Sequence, residues 1–235
     1  MQGGSFRLLN HAARYFPILR ELLPQLPPGA RVLEIGSGSR GLGEFWPGPF
    51  VGCDVNFPNK PRKPMLPVMC SGDRLPFADS SFDAVVCSDV LEHVPPQKRW
   101  DVVVEALRVT RGIAVFGFPH GPAAFELDRG LHLDYTKRGM TPPVWLDEHM
   151  QNAFPTSDLF RELPTGWKMK AIPNESLPFH QWVMRMEMNR WRDHFFRVVL
   201  RIAPTIFEWL LRRADREPSY RMIFVLTRDV SPAGI

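Results

Sequence analysis

The chain is poor in cysteine. Cys53, Cys70 and Cys87 are the three it has in 235 residues; no two form a CxxC pair, and each lies at or near the end of a short apolar run. An odd count in that setting argues against a disulfide framework or a cysteine-held metal and for core thiols in a reducing compartment. No stretch of about 18 uncharged apolar residues occurs, so no transmembrane helix is expected. Arg7, Arg14, Arg20 and Glu21 interrupt the apolar residues near the N-terminus, and no small-residue cleavage site follows, which argues against a secretory signal. The expected location is the cytoplasm. Repeats and low-complexity tracts are also missing, while 44% hydrophobic and 23% charged residues suffice for an ordinary buried core.

Proline, in contrast, is plentiful at 24 residues, and pairs such as Pro27-Pro28, Pro95-Pro96 and Pro142-Pro143 punctuate the chain. Between these breaks the periodicity predicts an amphipathic helix over 6–24 and buried strands over 32–35, 50–54, 66–70, 82–88 and 113–118. A helix is expected over 98–108. Strands alternating with helices indicate an α/β domain, a mostly parallel sheet with helices on both faces. Beyond Pro119 the pattern loosens. A helix is expected within 144–154, strands over 167–172 and 221–228, and a mainly helical insertion over about 174–218 before the last strand. The whole chain, 1–235, reads as one domain: an N-terminal helix (1–30), a core (31–120) and a second region (121–235).

The first strand, Val32-Leu33-Glu34-Ile35, runs directly into Gly36-Ser37-Gly38-Ser39-Arg40-Gly41. Glycines at a strand end permit a tight turn and let backbone N–H groups approach a cofactor, and several nucleotide cofactors share this device. The residues around the turn discriminate among them. Glu34 stands two residues before Gly36, where an acid would repel a pyrophosphate but suits a cofactor carrying an ammonium and a sulfonium. Asp54 follows Gly36 by eighteen residues at the end of the second strand, where an acid accepts bonds from ribose hydroxyls.

VLEIGSGSRG, VGCDV and SGDRLPFADSSFDAVVCSDVLEHVPP together resemble the cofactor-binding half of class I methyltransferases of the type-11 kind, over about residues 30–120. The resemblance implies a Rossmann-like class I methyltransferase fold and S-adenosyl-L-methionine (SAM) as cofactor. It implies that Glu34, Gly36, Ser37 and Gly38 face the methionine end, that Asp54 holds the ribose, that Ser71 and Asp73 flank adenine, and that Ser88 lines the pocket. Two departures stand out. Arg40 replaces a frequent third glycine, and Ser71 falls where an acid commonly meets the adenine amino group, leaving Ser71 and Asp73 as alternatives.

Methyl transfer to a hydroxyl needs a proton acceptor, and Asp89, His93 and His120 follow strand ends on the cofactor side. No Asn/Asp-Pro-Pro-aromatic motif follows the fourth strand and no Pro-Cys pair occurs, which argues against base-amino and pyrimidine-ring methylation. No metal is expected. The resemblance implies a small-molecule, glycan or glycolipid acceptor, with oxygen the expected atom; RNA methylation and a non-catalytic SAM-fold partner protein are the alternatives. Net charge is +4, and residues 185–216 hold eight arginines against four acids. That segment alternates Arg with large apolar residues instead of forming a basic cleft, so nucleic acid is disfavoured. A lid over the acceptor, a homodimer interface and a peripheral contact with an anionic membrane are its three readings.

Overall fold

The computed structural model describes residues 8–187, 198 and 202–229. The strands are β1 (Val32–Ile35), β2 (Phe50–Asp54), β3 (Met65–Met69), β4 (Phe82–Ser88), β5 (Thr110–Pro119), β6 (Trp167–Ser176) and β7 (Ser219–Arg228). The helices are α1 (Leu8–Leu22), α2 (Arg99–Val109), α3 (Gly121–Lys137), α4 (Val144–His149), α5 (Leu177–Glu187) and α6 (Pro204–Ala214). One sheet runs in the order β3-β2-β1-β4-β5-β7-β6. Strands β1 to β5 pair in parallel, and β7 is antiparallel to both β5 and β6.

The central strands are apolar on both faces because both are covered. All four residues of β1 are buried, as are six of the seven in β4, the pattern of an interior parallel strand. On one face α2 lays Val102, Val103, Ala106 and Leu107 against Leu33, Val85 and Phe116. On the other, α1 brings Tyr15, Ile18, Leu19 and Leu22 against Val32, Ala84, Val86 and Val115. The edges differ. β3 is largely exposed and carries Pro67, tolerated where one side of the backbone has no neighbour. β6 presents exposed Lys168 and Lys170, which discourage pairing with another chain.

Several boundaries depart from the sequence-based expectation. The turn after β1 leads into a short 3-10 segment (Gly41–Glu44), and α1 packs on that face of the sheet. α3, seventeen residues long, lies where the pattern had loosened: Pro122 occupies its first turn, where its missing N–H costs nothing, and Gly130 in its middle hides the 3.6-residue period of Ala124, Leu127, Leu131 and Tyr135. α4 ends at His149, short of the expected 154. β6 extends through Pro173 to Ser176, so the insertion before β7 begins at Leu177 rather than near 174. Of the basic residues in the arginine-rich segment 185–216, Arg190, His194, Arg197 and Arg201 lie outside the described residues. Glu208 and Arg212 pair with each other, and Arg213 sits over the exposed Trp209 ring. Among the described residues no helix is long and apolar enough to cross a membrane.

Candidate functional site

The carboxyl ends of β1, β2 and β4 meet beside the glycine turn, the position at which parallel sheets bind ligands. Gly36 (φ +70°) and Gly38 (φ +54°) both adopt left-handed backbone conformations. A Cβ on Gly36 would collide with the Val90 side chain, whereas the Cβ position of Gly38 meets nothing within 4 Å. The turn is therefore packed underneath and open above. Gly36 and Ser37 donate backbone N–H bonds to Cys53 O at 2.8 and 3.1 Å, and Gly38 N donates to Asp54 Oδ2 at 2.8 Å. Asp54 is half-buried, and its second oxygen accepts from Asn56 N at 3.2 Å.

Glu34 lies beneath this turn. Its Oε1 accepts a 2.6 Å bond from the Tyr15 hydroxyl, and its Oε2 accepts from Leu42 N at 2.7 Å. Burial raises its pKa to about 7, with both donors opposing the rise. Both oxygens are thus taken by the protein, and Glu34 braces the turn from below. Ser37 and Ser88 are buried, Ser88 Oγ without a hydrogen-bond partner. Ser71 donates to Asp73, which also receives Lys98 Nζ at 3.2 Å.

Beyond the strand ends a cavity of about 800 Å³ opens. Arg40, Lys60 and Arg62 belong to its wall near the turn, where Ser39 Oγ donates to Asn59 O and Arg62 N donates to Ser39 O. Another part of the wall is built around Asp89, held in a left-handed conformation (φ +51°) just past β4. Arg14 of α1 reaches Asp89 at 2.6 Å, and Arg221 of β7 bonds both its oxygens at 2.7 and 2.9 Å. The two guanidinium groups overcome the cost of burial and hold the Asp89 carboxyl well below the usual range. Arg221, 1% exposed, also bonds Glu175, whose other oxygen lies 2.6 Å from His180 Nδ1.

Glu92, His93 and His149 line the same cavity and come within ligand distance of one another. Glu92 is 1% exposed, and neither of its oxygens has a hydrogen-bond partner. His149 Nδ1 lies 2.6 Å from Asp128 Oδ2, which also accepts from the Tyr220 hydroxyl at 2.8 Å. His93 Nδ1 lies 2.9 Å from Glu148, and burial lowers the His93 pKa below the ordinary imidazole value.

Residues 33–116 match the family model described as a methyltransferase domain. A protein called "Uncharacterized methyltransferase" from Mycobacterium avium (strain 104) is 49% identical over 53 residues, 22% of this chain and 20% of that protein; one from Mycobacterium marinum matches equally. The chain therefore spans about a fifth of the length of the curated relatives it matches. Among solved structures, geranyl diphosphate C-methyltransferase from Streptomyces coelicolor is similar in fold, with TM-score 0.53 and 12% identity over 95% of this chain and 80% of that one. A protein from an antibiotic biosynthesis pathway of Anabaena variabilis gives TM-score 0.51 and 15% identity over 90% and 98%. Residues 33–116 therefore resemble a methyltransferase domain, and the two solved structures share the fold.

The structure gathers Gly36, Gly38 and Asp54 at one strand-end turn. It brings Asp89 and His93 to the cavity but leaves His120 off its wall. His120 Nε2 accepts from Ser157 N at 3.1 Å, and its ring lies near Phe118 and Phe224. Sequence reasoning missed Arg14, Tyr15, Glu92, Asp128, His149, Glu175, His180 and Arg221. Glu92 had a signal in its place beside His93 after β4. The others had none, because most act through a partner far along the chain.

Proposed function

We propose that this chain transfers a methyl group from SAM to an oxygen of a small polar acceptor such as a glycan or another hydroxyl-bearing metabolite. One observation carries the proposal: a glycine turn open above, flanked by Asp54, continues through Ser39 and Arg40 into the wall of a cavity that also holds the Glu92–His93–His149 group. The turn fits the cofactor. Backbone at Gly38 faces open space, and Asp54 beside it would accept from the ribose hydroxyls of SAM, a cofactor with no phosphate to bind. Bound SAM would supply an electrophilic methyl group. The remaining work is alignment and proton handling, which fall to the protein.

A volume of about 800 Å³ is within the range of small-molecule sites. Arg40, Lys60 and Arg62 suit an acceptor carrying an anionic group. For the proton, Asp89 is a poor recipient because two arginines stabilise its charged form. His93 keeps a depressed pKa, remains accessible and is neutral at pH 7, so it suits a proton acceptor better. Asp73 rather than Ser71 is the stronger acceptor for an adenine amino group, since the Ser71 hydroxyl is spent as a donor to Asp73.

Calorimetric titration with S-adenosylhomocysteine tests the cofactor half. Saturable binding is expected, at least about tenfold weaker in Asp54→Ala because charge-assisted hydrogen bonds to the ribose are lost. Absence of binding by the wild-type chain overturns it. Labelled SAM incubated with fractionated cell extract tests the acceptor half. Label is expected in small-molecule or polysaccharide fractions in an alkali-stable linkage; label in RNA would replace this acceptor class with the nucleic-acid alternative.

A further inference from the structure

The sequence shows no metal motif, yet the fold assembles the donor set of one. Glu92, His93 and His149 each offer one ligand atom, and these atoms lie within 4.8 Å of one another. Glu92 Oε1 and His149 Nε2 are 4.0 Å apart, and the His93 and His149 rings have centroids 4.9 Å apart. Bonds of about 2.0–2.2 Å to a shared ion place ligand atoms roughly 3–3.5 Å from each other, a contraction that side-chain rotation supplies.

Two independent features separate this group from a chance surface cluster. The first is Glu92 itself. A carboxylate that is 1% exposed, with neither oxygen hydrogen-bonded, is costly unless something fills the space beside it. The second is the outer layer. His149 Nδ1 faces Asp128 and His93 Nδ1 faces Glu148, which leaves the Nε2 atom of each ring for an ion. A carboxylate behind each imidazole is the arrangement that fixes the tautomer of metal-binding histidines and raises their basicity. Tyr220 in turn fixes Asp128. Of the neighbouring arginines, Arg14 and Arg221 are matched by Asp89 and Glu175; Arg99 bonds the carbonyls of Val94 and Ala153 and feels the Glu92 carboxylate, which must therefore serve both Arg99 and the ion.

We propose that Glu92, His93 and His149 bind one divalent transition-metal ion in the wall of the cavity. Two imidazoles favour an ion of the zinc, iron or cobalt type over magnesium or calcium. Three protein ligands leave a coordination position toward the cavity, as in catalytic rather than structural sites. On the methyltransferase reading above, that position receives an acceptor oxygen; with the ion bound His93 is a ligand instead of the proton acceptor, and the ion orients the hydroxyl and lowers its pKa so that the proton passes to solvent.

The test is titration of the chelator-treated full-length chain with Zn2+ by calorimetry, and with Co2+ by visible absorption. One equivalent is expected to bind, with cobalt bands that report imidazole and carboxylate ligation. Glu92→Gln and His149→Gln should weaken binding at least about tenfold, and Asp128→Asn should weaken it through His149 by about tenfold. His93→Asn, at the most exposed of the three positions, keeps the test open if a buried variant fails to fold. No saturable binding by the wild-type chain overturns the site, and so does equal affinity in the wild type and every folded variant. Zinc binding with no S-adenosylhomocysteine binding would leave the ion site standing and remove the methyltransferase reading. The reverse result would keep the enzyme and remove the metal.

Discussion

On the proposed function, the two walls of the site are built on different principles. The cofactor wall, the glycine turn beside the cavity, is local: Gly38 bonds Asp54 across 16 residues, and Gly36 and Ser37 bond Cys53. The acceptor wall, that of the cavity itself, is remote. Asp89 meets Arg221 across 132 residues, Arg221 meets Glu175 across 46, and Tyr220 meets Asp128 across 92. The cofactor wall uses backbone and glycine, which any chain of the right turn geometry provides. The acceptor wall uses buried charges that hold position only because α1, α3, α4, β6 and β7 deliver partners to one place. Binding a common cofactor calls for a transferable turn, whereas choosing an acceptor calls for a shape that this chain builds from most of its length.

The largest effect should come from breaking the remote wall at its centre. Arg221 is fully buried between Asp89 and Glu175. Arg221→Met leaves Arg14 as the remaining guanidinium on Asp89 and strips Glu175 of its guanidinium partner, while His180 stays beside it. Removing one partner from such a network costs about 3–5 kcal/mol. For a chain of this size the melting temperature should fall by roughly 6–20 °C, measured by thermal denaturation. A melting temperature within about 2 °C of wild type would show that the acceptor wall does not depend on this ion network.

A smaller and more selective effect is expected at His93. Its ring lines the cavity and takes no part in the Asp89 network. His93→Ala should lower turnover about 100-fold or more and change S-adenosylhomocysteine affinity less than about twofold. An equal loss in both quantities would mean that the two walls are not separable.

How much of this was legible in the sequence follows the same division. VLEIGSG and VGCD lie on strands whose ends the apolar runs mark, so β1, β2, β4 and the turn between them were readable from spacing alone. Asp89 and His93 were readable because they follow β4 directly. α3 was not, since Gly130 and Pro122 blur its period, nor was the end of β6, where Pro173 looks like a break but is tolerated at a sheet edge. Arg14 and Arg221 look like any surface arginines in sequence. Only the antiparallel placement of β7 beside β5 carries Arg221 to Asp89. Glu34 was legible as an acid before the glycine turn, but not as a group enclosed by Tyr15 from a helix ahead of the sheet.

That enclosure has a pH signature of moderate size. Glu34 has its folded pKa raised to about 7 against an ordinary value of 4.5. The folded state therefore binds the proton more tightly than the unfolded state between these values, and stability falls as pH rises from 4.5 through 7. The difference amounts to about 3 kcal/mol across that window. Glu34→Gln should flatten this part of the stability curve, measured by urea unfolding at stepped pH. Tyr15→Phe removes a donor to the carboxylate, so the decline should become steeper. Identical curves in all three proteins would place the Glu34 titration near its unperturbed range.

The smallest effect belongs to His120, which follows β5 and had the same standing in sequence as His93. In the structure its Nε2 accepts from Ser157 N, and its ring sits beside Phe118 and Phe224, away from the cavity wall. Burial lowers its pKa, so the ring is neutral at pH 7 and acts as an acceptor for the loop ahead of β6. His120→Ala removes one solvent-exposed hydrogen bond, worth about 1 kcal/mol at most. A fall of roughly 2–4 °C in melting temperature is expected, with turnover unchanged within about twofold. The comparison with His93→Ala is decisive because both residues follow adjacent parallel strands and both titrate below the ordinary imidazole value. What separates them is access to the cavity. If His120→Ala lowers turnover as much as His93→Ala, the acceptor approaches from the β5 side, and the cavity between α1 and α4 is not where methyl transfer occurs.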